Sequence, residues 1–207
     1  MRFFPAVLLV AYVVLFVALG IDPHDRAVWW AENIPIVAIT GILVGLYMRG
    51  LRLSNTAYAL MSVLLFLHTI GGHFTFERVP FDWFNDAFGW KRNQYDRVAH
   101  FSVGFYAYGI AEALERRERV SGRVIASVFG VFAIGTVAAV YEIIEWIYAA
   151  VAGGNAGAAF LGSQGDIWDA QKDMLADIAG AITVAVAYII VAPVRRDRAT
   201  HARAAHA

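Results

Sequence analysis

The chain contains no cysteine, which excludes disulfides, thiolate metal sites, iron–sulfur clusters and cysteine nucleophiles, and confines any bound metal to oxygen and imidazole ligands. Its formal net charge is zero, from 17 basic and 17 acidic residues, so overall charge gives no case for nucleic acid. It lacks an HExxH or GxSxG motif, the Lys/Arg/His set of lipid phosphatases, and any internal repeat. Charge of either sign is scarce: 16% of residues are charged and 59% are hydrophobic. That balance is too apolar for an ordinary soluble domain and points to an all-α, polytopic membrane protein.

Apolar runs place six spans at about 3–21, 34–49, 56–76, 96–114, 124–151 and 173–194. The first, behind Arg2, also resembles a signal peptide, and an uncleaved span is expected. Asn33, Ile34 and Pro35 read as the start of the second span, because Asn caps helices and Pro is tolerated in the first turn. Segment 77–95 holds Phe81, Trp83, Phe84, Phe88 and Trp90 among polar residues, a composition suited to lying in the membrane interface. Assigned to alternate sides, eleven Arg residues (Arg2, Arg49, Arg52, Arg116, Arg117, Arg119, Arg123, Arg195, Arg196, Arg198 and Arg203) stand against six basic residues (Arg26, Arg78, Lys91, Arg92, Arg97 and Lys172). The excess predicts one six-helix bundle with both termini in the cytoplasm and a basic, disordered tail over 195–207.

The polar residues inside this apolar chain are concentrated at one level. Asp166, Asp169, Asp173 and Asp177 recur at steps of three, four and four, one stripe on a helix that runs into the last span. Asp96 and His100 are four apart, and Glu142 and Glu145 three apart, near the same predicted outer face. Below these pairs the same faces continue in small residues, Gly104, Ala107 and Ala111, then Gly135 and Ala138, then Gly180, Ala181 and Val184. Small residues let helices approach closely in lipid, so the three stripes are expected to face one another.

Carboxylates gathered in a partly dry place need either a cation or protons and cationic partners. Histidine with carboxylate oxygen suits Zn, Mn or Fe, and carboxylates alone suit Mg or Ca. The expected metal ligands are Asp96, His100, Glu142, Asp166, Asp173 and His73, with His73 preferred over His68 as nearer the mouth. Glu142, Glu145 and Asp169 are the expected catalytic carboxylates. The plain structural alternatives are ion pairing of the glutamates with Arg97 and helix-dipole stabilisation of Asp166 and Asp169.

The segments YDRVAHFSVGF at 95–105, YEIIEW at 141–146 and LGSQGDIWDAQKDM at 161–174 resemble the YjdF-like family of bacterial inner-membrane proteins. An aspartate and histidine four apart, a glutamate-bearing helix and an aspartate-rich last span are more distantly similar to the VanZ-like proteins, associated with low-level teicoplanin resistance at the cell envelope. The resemblance implies an inner-membrane location and makes Asp96, His100, Glu142, Glu145, Asp166, Asp169 and Asp173 motif positions; it supplies no reaction. The expected function is a periplasm-facing site that binds a divalent metal and binds or acts on an envelope lipid or lipid-linked molecule. A cation or proton transporter and a non-catalytic subunit are the alternatives.

Overall fold

The computed structural model describes residues 3–152 and 163–191, so the expected tail over 195–207 lies outside the described residues. The elements are α1 (Phe4–Gly20), α2 (Arg26–Met48), α3 (Asn55–Phe74), a 3₁₀ turn (Phe76–Arg78), α4 (Asp82–Ala87), α5 (Tyr95–Val103), α6 (Tyr106–Arg116), α7 (Arg123–Ala152) and α8 (Asp169–Val191). No strand occurs among the described residues. Helices α2, α3, α7 and α8 are long and apolar enough to cross a membrane. Phe129, Phe132, Ile143, Ile144 and Trp146 on α7 are all more than half exposed, a continuous apolar surface that only lipid or another apolar face would cover.

Helix α2 begins two turns earlier than the Asn33–Pro35 signal suggests. Asp25 is its N-cap: Oδ1 accepts from the backbone N–H groups of Ala27 (2.8 Å) and Val28 (3.0 Å), satisfying donors that the first turn leaves open. Pro35 therefore sits inside the helix. Asn33 is not a cap but a buried bridge, donating to the Trp29 carbonyl (2.9 Å) and accepting from Thr69 Oγ1 on α3 (3.1 Å).

The fourth apolar run, expected as one helix, is divided into α5 and α6. At the junction Phe105 N–H donates to Ser102 (3.1 Å), Ala107 to Gly104 (3.0 Å) and Tyr108 to Phe105 (3.3 Å), a short 3₁₀ stretch within the α-helical path. The tightening falls where α8 comes closest. A Cβ on Gly104 would meet the backbone of Asp177, Gly180 and Ala181, and one on Gly180 would strike the Phe101 carbonyl. Gly130 on α7 likewise touches the backbone of Ala107. Ala107, Ala111, Ala138, Ala181 and Val184 are all buried, so the small-residue stripes do face one another, and their size sets the helix separation.

Two sets of contacts tie the helix ends together. At one end His24 N–H donates to the His73 carbonyl (2.9 Å), and Asn93 links to Glu77, Val79 and Gln164. At the other, Glu112 accepts from Ser54 N–H (2.7 Å), Ser54 Oγ (2.6 Å) and Arg116 Nε (2.6 Å), Tyr188 donates to Glu115, and Arg123 donates to the Ile189 carbonyl (3.2 Å). The α4 region presents Trp83, Phe88 and Trp90 outward at the first end, the latter two rings stacked at 4.7 Å.

Candidate functional site

Helices α5 and α8 enter the bundle side by side from the same end, in a register that holds over two turns. Arg97 meets Asp173, His100 meets Asp177 and Gly104 meets Ala181, at separations of 76, 77 and 77 positions in the chain. Because both helices turn once per 3.6 residues, the stripe of α5 at steps of three and four faces the stripe of α8 at steps of four. The aspartate stripe of α8 thus points at α5: Asp169, Asp173 and Asp177 are 7%, 4% and 2% exposed.

Two arginines hold the upper part of this stripe. Arg97 donates to Asp173 Oδ1 (2.6 Å), Asp169 Oδ1 (2.5 Å), the Asp169 carbonyl (3.0 Å) and Asp166 Oδ2 (3.4 Å). Arg92 pairs with the same Asp169 Oδ1 (2.5 Å), reaches Asp96 (3.4 Å) and donates to the Ser163 carbonyl (2.9 Å). Asp166 stands outside α8, where a hydrogen bond from Lys172 Nζ (2.6 Å) and another from the Trp168 N–H hold its carboxyl below the usual range. The guanidiniums thus go to aspartates, and the ion pairs of Arg97 do not include Glu142 or Glu145, the pairing that was the structural alternative for those glutamates.

His100 lies below the arginines. Its Nδ1 is 3.2 Å from Asp177 Oδ1, and its Nε2 is 3.6 Å from Asp96 Oδ1 and 3.9 Å from Asp173 Oδ1. Asp96, His100 and Asp173 each offer a donor atom within 4.8 Å of the others. Ligands bound at about 2.0–2.2 Å would stand roughly 3–4 Å apart, and the 3.6 and 3.9 Å separations of His100 Nε2 from the two aspartates already fall in that range. Glu142, on α7, lies within electrostatic range of His100, Asp173, Asp177 and Asp96 but outside the Asp96–His100–Asp173 group, and its buried Oε1 has no hydrogen-bond partner among the described residues.

Glu145 extends the group across the bundle. It lies within electrostatic range of Glu142, His100 and Asp96 and also of Glu32 on α2. Glu32, 4% exposed, pairs with His68 Nε2 at 3.1 Å. Neither is among the expected site residues: Glu32 precedes the second span expected at 34–49, and His73 is preferred over His68. The signal was the spacing of Trp29, Glu32, Asn33 and Ile36, one buried face of a helix that starts at Asp25.

His73, expected among the ligands, is directed elsewhere. Its Nδ1 lies 2.7 Å from the Leu19 carbonyl of α1, with the ring edge-on to Trp29 and Phe74. The helix end turns it toward α1, and the α3 histidine that meets a carboxylate is His68. Asp166 is likewise not in the Asp96–His100–Asp173 group but in the salt-bridge layer above it.

Residues 4–193 match the family described as "Predicted membrane protein (DUF2238)". The chain is similar to the inner membrane protein YjdF of Escherichia coli (strain K12), with 34% identity over 173 residues, covering 81% of this chain and 80% of that one. No solved structure matches. With several apolar helices besides, this is a multi-pass protein of the inner membrane. The chain belongs to the DUF2238 family of predicted membrane proteins.

Proposed function

We propose that Asp96, His100 and Asp173, with Glu142, bind a divalent cation, and that the site binds or acts on an envelope lipid or lipid-linked molecule from the periplasmic side. The observation that carries this reading is the convergence of three donor atoms from α5 and α8, with the buried Glu142 Oε1, unpartnered among the described residues, in electrostatic range of them. An unpaired carboxylate oxygen in a dry place is costly, and a cation would satisfy it. The mixture of imidazole and carboxylate donors suits Zn, Mn or Fe better than Mg. Such an ion would polarise a phosphoryl or carbonyl oxygen, with Glu145 available as proton acceptor. Asp169 is the poorer base, since two guanidiniums hold its Oδ1.

The accompanying topology is six crossings with both termini cytoplasmic, α5 and α6 together making the fourth. Supporting it are the contacts that gather alternate helix ends, and the excess of arginine at the Glu112 end. The absence of native cysteine makes this directly measurable: in Asp86→Cys and Arg119→Cys, an impermeant thiol reagent added outside spheroplasts should label the first and not the second.

For the ion, purified protein equilibrated with Zn, Mn, Fe or Mg in turn should retain about one equivalent of one metal and gain thermal stability. His100→Ala and Glu142→Ala should abolish both effects. Metal-free wild-type protein whose melting temperature is indifferent to all four ions overturns the proposal. Transport is the second reading, favoured by the electrostatic link of Glu145 both to Asp96 and His100 and to Glu32, the partner of His68. Cation or proton flux in proteoliposomes, abolished by Glu145→Gln, would select it.

A further inference from the structure

A groove of about 230 Å³ lies between α1, α2 and α3, at the end of the bundle away from the carboxylate cluster. Its α2 wall runs from Thr40 to Met48, about 12 Å at 1.5 Å per residue, against roughly 15 Å for one leaflet of a 30 Å hydrocarbon core. Three of the five hydroxyls along it already donate to backbone: Thr40 Oγ1 to the Ile36 carbonyl (2.8 Å), Ser62 Oγ to the Ala59 carbonyl (2.8 Å) and Tyr58 OH to the Leu51 carbonyl (3.4 Å). Water in the groove would find little to bond, whereas a hydrocarbon chain would lose nothing by entering.

The groove opens where α2 stops. Met48, its last helical residue, lines the groove; Arg49 follows as the C-cap, and the Arg52 guanidinium stands 3.5 Å over the ring of Tyr47, another lining residue. Two cations just beyond the end of an apolar slot of single-leaflet length complement one kind of occupant. We infer that this groove binds a phospholipid of the surrounding bilayer, with one acyl chain between α1 and α2 and an anionic phosphate headgroup at Arg49 and Arg52. The packing supports a lipid in this position, because among the described helices α1 packs chiefly on α3. A lipid there fills the α1–α2 gap and adds an apolar surface that the polypeptide does not supply.

The test uses the full chain in mild detergent and native mass spectrometry with phosphatidylglycerol or phosphatidylcholine of identical acyl chains. Wild-type protein should hold phosphatidylglycerol at least about fivefold more tightly, the preference expected of two cations near a headgroup. Val44→Trp, which fills the groove from an exposed position, should remove the bound lipid. Arg49→Gln/Arg52→Gln should abolish the preference while leaving the melting temperature of lipid-free protein unchanged. Equal affinity for the two lipids, or a preference that survives in either variant, overturns the inference. Should Val44→Trp unfold, the arginine variant alone decides.

Discussion

His100 Nδ1 lies 3.2 Å from Asp177 Oδ1, one turn deeper in the bundle than the arginine layer. Asp177 is 2% exposed, so each group is the other's replacement for water. Removing one partner of a buried pair leaves the other charge or dipole unmatched, at about 3–5 kcal/mol. Asp177→Ala should therefore lower the unfolding free energy in detergent by about that much. Asp177→Asn, which keeps a hydrogen-bonding group there, should lose markedly less. Equal losses would show that shape, not the pair, decides stability at this position.

The close approach of α5 and α8 makes a second expectation. Gly104→Ala and Gly180→Ala each drive a methyl into backbone atoms of the facing helix, and backbone cannot swing aside as a side chain can. Overpacking of this kind costs about 1–3 kcal/mol or more, and separating the helices would also part His100 from Asp177. Gly41→Ala and Gly45→Ala meet nothing within 4 Å and should be neutral or slightly stabilising through helix propensity. Melting temperatures of the four variants check the contrast.

Glu112 is the counterpart of this arrangement at the other end. It caps the start of α3 indirectly, by holding both the N–H and the Oγ of Ser54, and it also receives Arg116. Glu112→Ala would strand these donors, at about 1–3 kcal/mol. Hydrogen exchange should show the first turn of α3 and the last turn of α6 becoming less protected together. Unchanged protection at Ser54 would contradict the bridge.

Asp25 gives a prediction with a definite pH sense. The N–H groups of Val28 and Ala27 hold its carboxyl below the ordinary value. A group whose folded-state pKa is depressed adds stability that is complete above its unfolded pKa and is lost as pH falls through the folded value. Asp25→Ala should cost about 1 kcal/mol at neutral pH. The difference from wild type should shrink on acidification through and below the usual carboxylate range. A difference that grows instead would rule out the cap as its source.

Composition and periodicity alone determined that the chain is helical and membrane-embedded. They also identified the residues to watch, because lipid makes every ionisable group and every small-residue stripe inside an apolar run conspicuous. Asp96, His100, Asp173 and Asp177 were legible in this way, as was the meeting of Gly104 with Gly180. Helix α2 starts at Asp25, eight residues ahead of the expected Asn33, and both are N-cap residue types. Local sequence does not say which of them finds free N–H groups and which finds Thr69. Tertiary structure decided the partners. Arg97 joined the aspartates and not the glutamates, His68 met Glu32, and His73 turned to Leu19. Spacing along a helix fixes which residues share a face. The rotation of that helix against its neighbours, set here by backbone contact at glycines, fixes what the face meets.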